Sequence, residues 1–245
     1  MGNAKIVQRT LQATERLGSD IAAVDGNSVI HPTLTDSDIA VIHPMSIFEN
    51  SWTRAWSGLG LQPDANLFEA LMAAYAEPQR HYHSLQHLRE CLAHFEQVRE
   101  LAEHPEEVEI ALWFHDAVYD VRGTANERQS AGWAVRALQA GNASRPTQNR
   151  VEQLIMATRH DTAPEDSDER LLVDIDLSIL GAAPKRFAEY DGQVRAEYSW
   201  VPEAIYVMKR KAVLSSFLAR SSIYSTPHFY GRYEAQARMN LAVLA

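Results

Sequence analysis

From residue 45 onward, apolar residues recur three and four positions apart, and the stretches between them carry the residues that start and stop helices. This pattern predicts helices over 64–77, 84–102, 105–119, 126–140, 146–160, 168–180, 184–199, 202–219 and 229–244. Pro105, Pro146, Pro184 and Pro202 stand at the expected starts, where a missing backbone N–H is tolerated, and Gly141 and Gly181 stand at expected stops. Alternating strand patterns are scarce, and no internal repeat, heptad seam or low-complexity run interrupts the series. The expected fold class is all-α, a single helical-bundle domain over 45–245. Residues 1–44 mix Gly, Asn, Ser, Thr and Asp with isolated Val and Ile and show no sustained period. They are expected to form a peripheral or poorly ordered extension, with Met45 a candidate functional start.

Three passages place His and Asp where a helix would normally bury apolar side chains. In HYHSLQHL, His83 and His87 are four apart and share a face if the helix begins near Ser84. A pair of capping or core histidines would read the same way. In EEVEIALWFHDAVYD, His115 is in register with Val108, Ala111 and Leu112, and Asp116 lies about 100° round the helix from it. A buried ionised Asp costs several kcal/mol unless it is paired or bound to a cation. A satisfied His–Asp hydrogen bond would meet that need as well as an ion. In ERLLVDIDLSILG, Asp176 falls inside the apolar stripe of Leu172, Ile179 and Leu180, whereas Asp174 groups with Leu171 and Ser178 on another face. Together the passages supply two imidazoles and two carboxylates from three helices. That donor set suits Mn, Fe, Zn, Co or Ni, while Mg prefers more oxygens.

Composition narrows the chemistry further. The 245 residues are 46% hydrophobic and 22% charged, enough for a sizeable core. No window approaches the roughly 18 consecutive apolar residues of a membrane span, and the N-terminus lacks a signal peptide's apolar centre, so a soluble, cytoplasmic chain is expected. A single cysteine, Cys91, rules out an intramolecular disulfide and any thiolate-rich metal site, which leaves His, Asp and Glu as the expected ligands. The formal charge of −9, from 32 acidic and 23 basic residues with no long basic run, argues against nonspecific nucleic-acid binding. A small anionic substrate stays compatible with it, because one metal ion or two arginines reverse the local potential. Apolar positions on the C-terminal helices leave room for a homodimer.

The order His87, His115–Asp116, Asp176 resembles the HD-domain superfamily of metal-dependent phosphohydrolases, whose pattern is a His, a His-Asp doublet and a distal Asp. The first passage is also similar to the YHNxxH segment of the cyclic-nucleotide phosphodiesterases within that superfamily, with Tyr82, His83 and His87 matching and Ser84 in place of Asn. The likeness extends through YHSLQHL, WFHDAVYD, NERQSA, ATRHD, DIDLSILG, VRAEYSWV and FLARSSIYSTP to a bacterial group described only as predicted HD-type phosphohydrolases. It covers about 60–245 and leaves 1–44 unexplained.

The resemblance implies an HD-type bundle with His87, His115, Asp116 and Asp176 as metal ligands, Asp116 among the catalytic residues, and His83 as proton donor to the leaving group. The reaction implied is metal-activated attack of water on phosphorus, in a small phosphorylated metabolite such as a nucleotide or another phosphomonoester. Because some members carry a further His between the doublet and the distal Asp, His160 is a candidate second-metal or phosphate contact, against a plain helix-end role. Asp120 and Glu127 are candidates to orient the water or a second ion, although Glu127 also suits the first turn of a helix. Arg195, Tyr198 and Arg220 are candidate substrate contacts, with packing roles equally open. Two other functions share these residues: a nucleotide-binding regulatory module without turnover, and a di-iron oxygenase, which would need more histidines.

Overall fold

The chain's computed structural model describes residues 44–244, so the expected N-terminal extension lies, apart from Pro44, outside the described residues. Those residues form α1 (Pro44–Gly58), α2 (Leu67–Tyr75), α3 (Leu85–Val98), α4 (Pro105–Phe114), α5 (Asn126–Ala140), α6 (Arg145–Ala157), α7 (Ser167–Asp176), α8 (Pro184–Glu197), α9 (Glu203–Leu218) and α10 (Pro227–Leu244). A 3-10 turn at Arg99–Leu101 follows α3, and another at Leu177–Gly181 follows α7. Among the described residues there is no strand, and the fold is all-α. No described helix is long and apolar enough to cross a membrane. Helix α1 has no counterpart among the predicted segments, yet Phe48, Trp52, Ala55 and Trp56 form its buried stripe at helical spacing.

Helix α4 is the axis of the core. Its residues from Glu107 to Phe114 are all buried, so it has no solvent face, and the single apolar stripe read from its sequence understates its burial. Two of these residues are acids, which persist there because each is paired. Arg54 of α1 grips Glu109 at 2.5 and 3.1 Å, and Arg150 of α6 grips Glu107 through two bonds of 2.6 Å. Phe48, Trp52 and Phe68 surround Trp113 with ring centroids 5.1–5.9 Å away, and the indole N–H of Trp113 donates to Ser51 Oγ at 2.9 Å.

The helix expected over 105–119 stops at Phe114. His115 still donates its backbone N–H to the Ala111 carbonyl, after which the chain turns away. Arg80 caps the emerging backbone, its guanidinium donating to the carbonyls of Asp116 (2.5 Å) and Ala117 (2.9 Å). The expected helix over 168–180 likewise divides, α7 ending at Asp176 and the tighter turn continuing to Gly181. Carbonyls left free by that change are met from the C-terminal part of the chain: Tyr224 Oη donates to Leu177 (3.0 Å), and Asn240 Nδ2 donates to Leu180 (2.9 Å) and Ala182 (2.8 Å).

Gly181 lets α10 close on this turn, since a Cβ there would stand 2.6 Å from Cβ of Tyr233 and 2.7 Å from its carbonyl oxygen. Gly181→Ala is expected to destabilise the fold by about 1–3 kcal/mol. Urea unfolding would read this as a lower midpoint at an unchanged slope.

Candidate metal centre

The three passages meet at helix ends. Ser84 caps α3, its side chain accepting the Gln86 N–H, and His87 follows in the first turn. His115 and Asp116 leave the C-terminus of α4, and Asp176 closes α7. His115 keeps helical dihedrals (φ −55°, ψ −37°), and its ring and the Asp116 carboxylate both reach the cluster from the edge of the helix end. The Nε2 atoms of His87 and His115 are 3.1 Å apart. Asp116 Oδ2 lies 3.5 Å from the first and 3.2 Å from the second, and Asp176 Oδ1 lies 3.2 and 3.8 Å from them. Donors about 2.0–2.2 Å from one ion stand about 3.0–3.5 Å from each other in right-angled or tetrahedral arrangements, so each carboxylate stands at or close to ligand spacing from the two imidazoles.

Their chemistry agrees with that size. The Leu112 carbonyl can only accept, so His115 Nδ1, 2.7 Å from it, carries a proton, and Nε2 is the nitrogen turned toward the cluster. The ring sits at the carbonyl end of α4, where the helix dipole favours a cation. Burial alone would push the Asp176 carboxyl up, but hydrogen bonds from His160 and His87 outweigh it and hold the group well below the usual carboxylate range. Asp116 is held down against burial by His115 and His83. Burial lowers the His115 imidazole, yet the neighbouring Asp116 raises it above its ordinary value. The two ionised carboxylates thus favour a proton on the imidazole pair, which a divalent ion would displace.

Cys91, one turn beyond His87, departs from the expected donor set. Its Sγ lies 3.7 Å from both ring nitrogens of His87, and Cys91, His87, His115 and Asp176 can each offer a donor atom within 4.8 Å of the others. Burial pushes the thiol up.

His83 precedes α3, and its partner was not legible from spacing. Glu197, at the end of α8, is 4% exposed. Its Oε1 accepts the backbone N–H groups of His81, Tyr82 and His83 at 2.8–3.0 Å, and its Oε2 accepts from His83 Nδ1 and Tyr119 Oη, each at 2.8 Å. The Tyr119 ring stacks on His83 with centroids 4.1 Å apart. These contacts fix the tautomer and plane of His83 and leave Nε2 as its unclaimed nitrogen. VRAEYSWV contains Glu197, but a lone acid one position off an apolar stripe carries no signal of a partner 114 residues away. Arg80, which ties the His83 segment to the Asp116 backbone, was equally silent.

A cavity beside the donors is lined by His83, Asp116, Glu127, His160, Asp176 and Tyr198, together with apolar and aromatic side chains. His160 donates from Nε2 to Asp176 Oδ2 (2.9 Å), in a left-handed backbone conformation with φ 53°. Asp120 is not at this cavity. It is exposed, its Oδ1 accepts the Arg122 N–H and its backbone pairs with Asn126, as a turn residue's does. Arg195 is also elsewhere: it donates to Glu203 and to the carbonyls of Tyr198 and Val201 and stacks on Tyr206, locking the turn between α8 and α9. Arg220 stacks on the Phe217 ring behind the cavity, with Nη2 3.5 Å from the His160 carbonyl, and does not line it. Asp174, fully buried, accepts from the N–H groups of Ser225 and Thr226 and from Thr226 Oγ1, and serves the start of α10 rather than the cluster.

No protein-family model, curated protein or solved structure matches this chain. The functional reading therefore rests on these residues and their geometry.

Two outcomes follow. Because the imidazoles facing Asp116 and Asp176 carry raised pKa values, protons compete with an ion, and the affinity for Mn2+ is expected to fall about tenfold or more per pH unit below neutrality; calorimetric titration at several pH values measures it. Glu197 is depressed from 4.5 to about 2 because His83, Tyr119 and backbone N–H donors outweigh burial. Its contribution to stability is present above the unfolded value and is lost as pH falls through that window. Glu197→Gln is therefore less stable than wild type near pH 6, and the gap closes by up to about 3 kcal/mol as the pH approaches 2.5, in urea unfolding series.

Proposed function

We propose that the chain is a metal-dependent phosphohydrolase of HD type, acting on a small phosphorylated metabolite. One observation carries the reading. Two buried imidazoles cluster with two carboxylates, and those carboxylates, Asp116 and Asp176, line the same cavity as a histidine whose far nitrogen is held by a buried carboxylate. His87, His115, Asp116 and Asp176 would hold a divalent transition ion such as Mn, Fe, Co, Ni or Zn. Such an ion supplies a Lewis acid toward a phosphoryl oxygen and makes water nucleophilic near neutral pH.

The remaining work falls to the chain's own groups. His83, oriented through Nδ1 by Glu197, delivers a proton from Nε2 to the oxygen that leaves phosphorus. Glu197 and Tyr119 act through His83 as positioning residues. Glu127, in the cavity wall at the first turn of α5, would orient the attacking water. Tyr82, Tyr190 and Phe217 narrow the approach of bulk water to the reacting centre. Mono-, di- and triphosphate substrates share all of these requirements, so they fix the reaction before the substrate.

With Mn2+ supplied, the protein is expected to release inorganic phosphate from phosphomonoesters. His83→Ala should lower kcat by about 10²–10⁴-fold with ion content unchanged in elemental analysis. Loss of the ion in that variant would make His83 a ligand instead. Full ion loading without phosphate release from any of a broad set of esters would overturn the hydrolase reading.

A further inference from the structure

We propose that Arg80 is a positioning residue that holds Asp116, at the ion cluster, and His83, the proton donor, in one fixed register. Its effect on proton transfer rests on the phosphohydrolase reading above, whereas its effect on ion binding rests on the cluster alone.

Arg80 lies in the segment between α2 and α3, three residues before His83, and its side chain is 1% exposed. A single nitrogen, Nη1, donates to the carbonyl of Asp116 (2.5 Å) and to that of His83 (3.4 Å), while Nη2 donates to Ala117 (2.9 Å). The guanidinium thus bridges two segments that are distant in sequence. The backbone N–H of each residue is claimed as well. That of His83 donates to Glu197 Oε1 at 3.0 Å, and that of Asp116 to Tyr75 Oη at 3.3 Å. Arg80 also stands over the rings of Tyr75 and Tyr119, 5.4 and 5.7 Å from their centroids, and the Tyr119 ring stacks on His83. A shift of either residue is therefore passed to the other.

Holding backbone carbonyls does not of itself call for a cation. In the turn after α7 the neutral amide of Asn240 does so for Leu180 and Ala182. A buried guanidinium is costly unless paired, and Glu77, which accepts from Nε at 2.9 Å, is itself 43% exposed. What an arginine adds is reach and shape, since its planar fork of five donors fixes groups on different segments at once and a lysine's point charge does not. The groups fixed here belong to the residue that would help hold the ion and the one that would deliver the proton. Such a transfer needs heavy atoms about 2.6–3.2 Å apart, and a displacement of about 1 Å costs about 10²-fold. Loss of a group behind a metal ligand lowers ion affinity or activity by about 10–100-fold.

Arg80 also faces an open groove of about 620 Å³, lined in part by Glu77, Ala117 and Tyr119. Removing its side chain would leave a space that a small planar cation can enter from solvent, which separates a role in position from one in folding.

The test compares full-length wild type, Arg80→Lys and Arg80→Ala by urea unfolding, by Mn2+ calorimetry and by kcat for p-nitrophenyl phosphate or whichever ester wild type hydrolyses fastest. In folded Arg80→Lys, kcat is expected to fall by about 10–100-fold and Mn2+ affinity by about tenfold. Guanidinium chloride far below unfolding concentrations, set against equal sodium chloride, is expected to raise kcat of Arg80→Ala by at least about fivefold and to leave wild type unchanged. A merely structural arginine would lower the urea midpoint and leave kcat and Mn2+ affinity of the folded protein as they were, which would overturn the proposal. A loss in Arg80→Ala that guanidinium does not reverse would overturn it too. Should Arg80→Ala fail to fold, Arg80→Lys decides by itself. If wild type binds Mn2+ but hydrolyses no ester, the hydrolase reading falls, and the Mn2+ affinities alone decide for or against Arg80.

Discussion

Asp116 and Asp176 lie beside His87 and His115 in the core of an acidic protein, and this concentration of negative charge is the constraint on which the site depends. Neither carboxylate can reach bulk solvent freely, since their side chains are 18% and 14% exposed. Both are held ionised by the imidazoles around them. Without a cation the cluster satisfies itself with protons on histidine. His87, Cys91, His115 and Asp176 could hold one, and the carboxylates beside the imidazoles supply attraction for it in a chain of net charge −9.

Much of the remaining architecture keeps those carboxylates in place. Helix α4 is buried on every side, which fixes the point where His115 and Asp116 emerge, and Arg80 secures the backbone just past it. Asp176 is set by the change from α-helix to 3-10 turn, whose carbonyls are satisfied by Tyr224 and Asn240 and whose outer side Gly181 opens to α10. Glu197 gathers three consecutive N–H groups and the His83 ring, so the end of α8 orients the segment that leads into α3. The C-terminal helices, which contribute no donor to the cluster, thus determine where two of its sides stand.

Periodicity made the helices from α2 to α10 legible, and it separated Asp176 from Asp174 because the two fall on different faces. It could not place helix ends, where hydrogen bonding from distant residues decides. Hence the segment predicted over 105–119 stops at Phe114. Glu197 and Arg80 escaped notice for the same reason, since each acts on backbone groups far along the chain. Asp120, Arg195 and Arg220 have residue types suited to a phosphate site, yet a turn, a helix junction and an aromatic face claim them. Cys91 was set aside on cysteine count, whereas its position one turn past His87 brings its sulfur against the cluster.

The central claim is that these buried acids and imidazoles exist to hold an ion. Elemental mass spectrometry of the full-length protein after equilibration with Mn2+, Fe2+ or Zn2+ and removal of excess tests it most directly. Asp176→Ala would be measured beside Asp161→Ala, whose carboxylate pairs with Arg159 instead. The account predicts about one ion or more per chain in wild type and Asp161→Ala, and less than about a tenth of that in Asp176→Ala. Ion-free wild type under all three conditions, or an Asp176→Ala protein that keeps its full ion content, would contradict it.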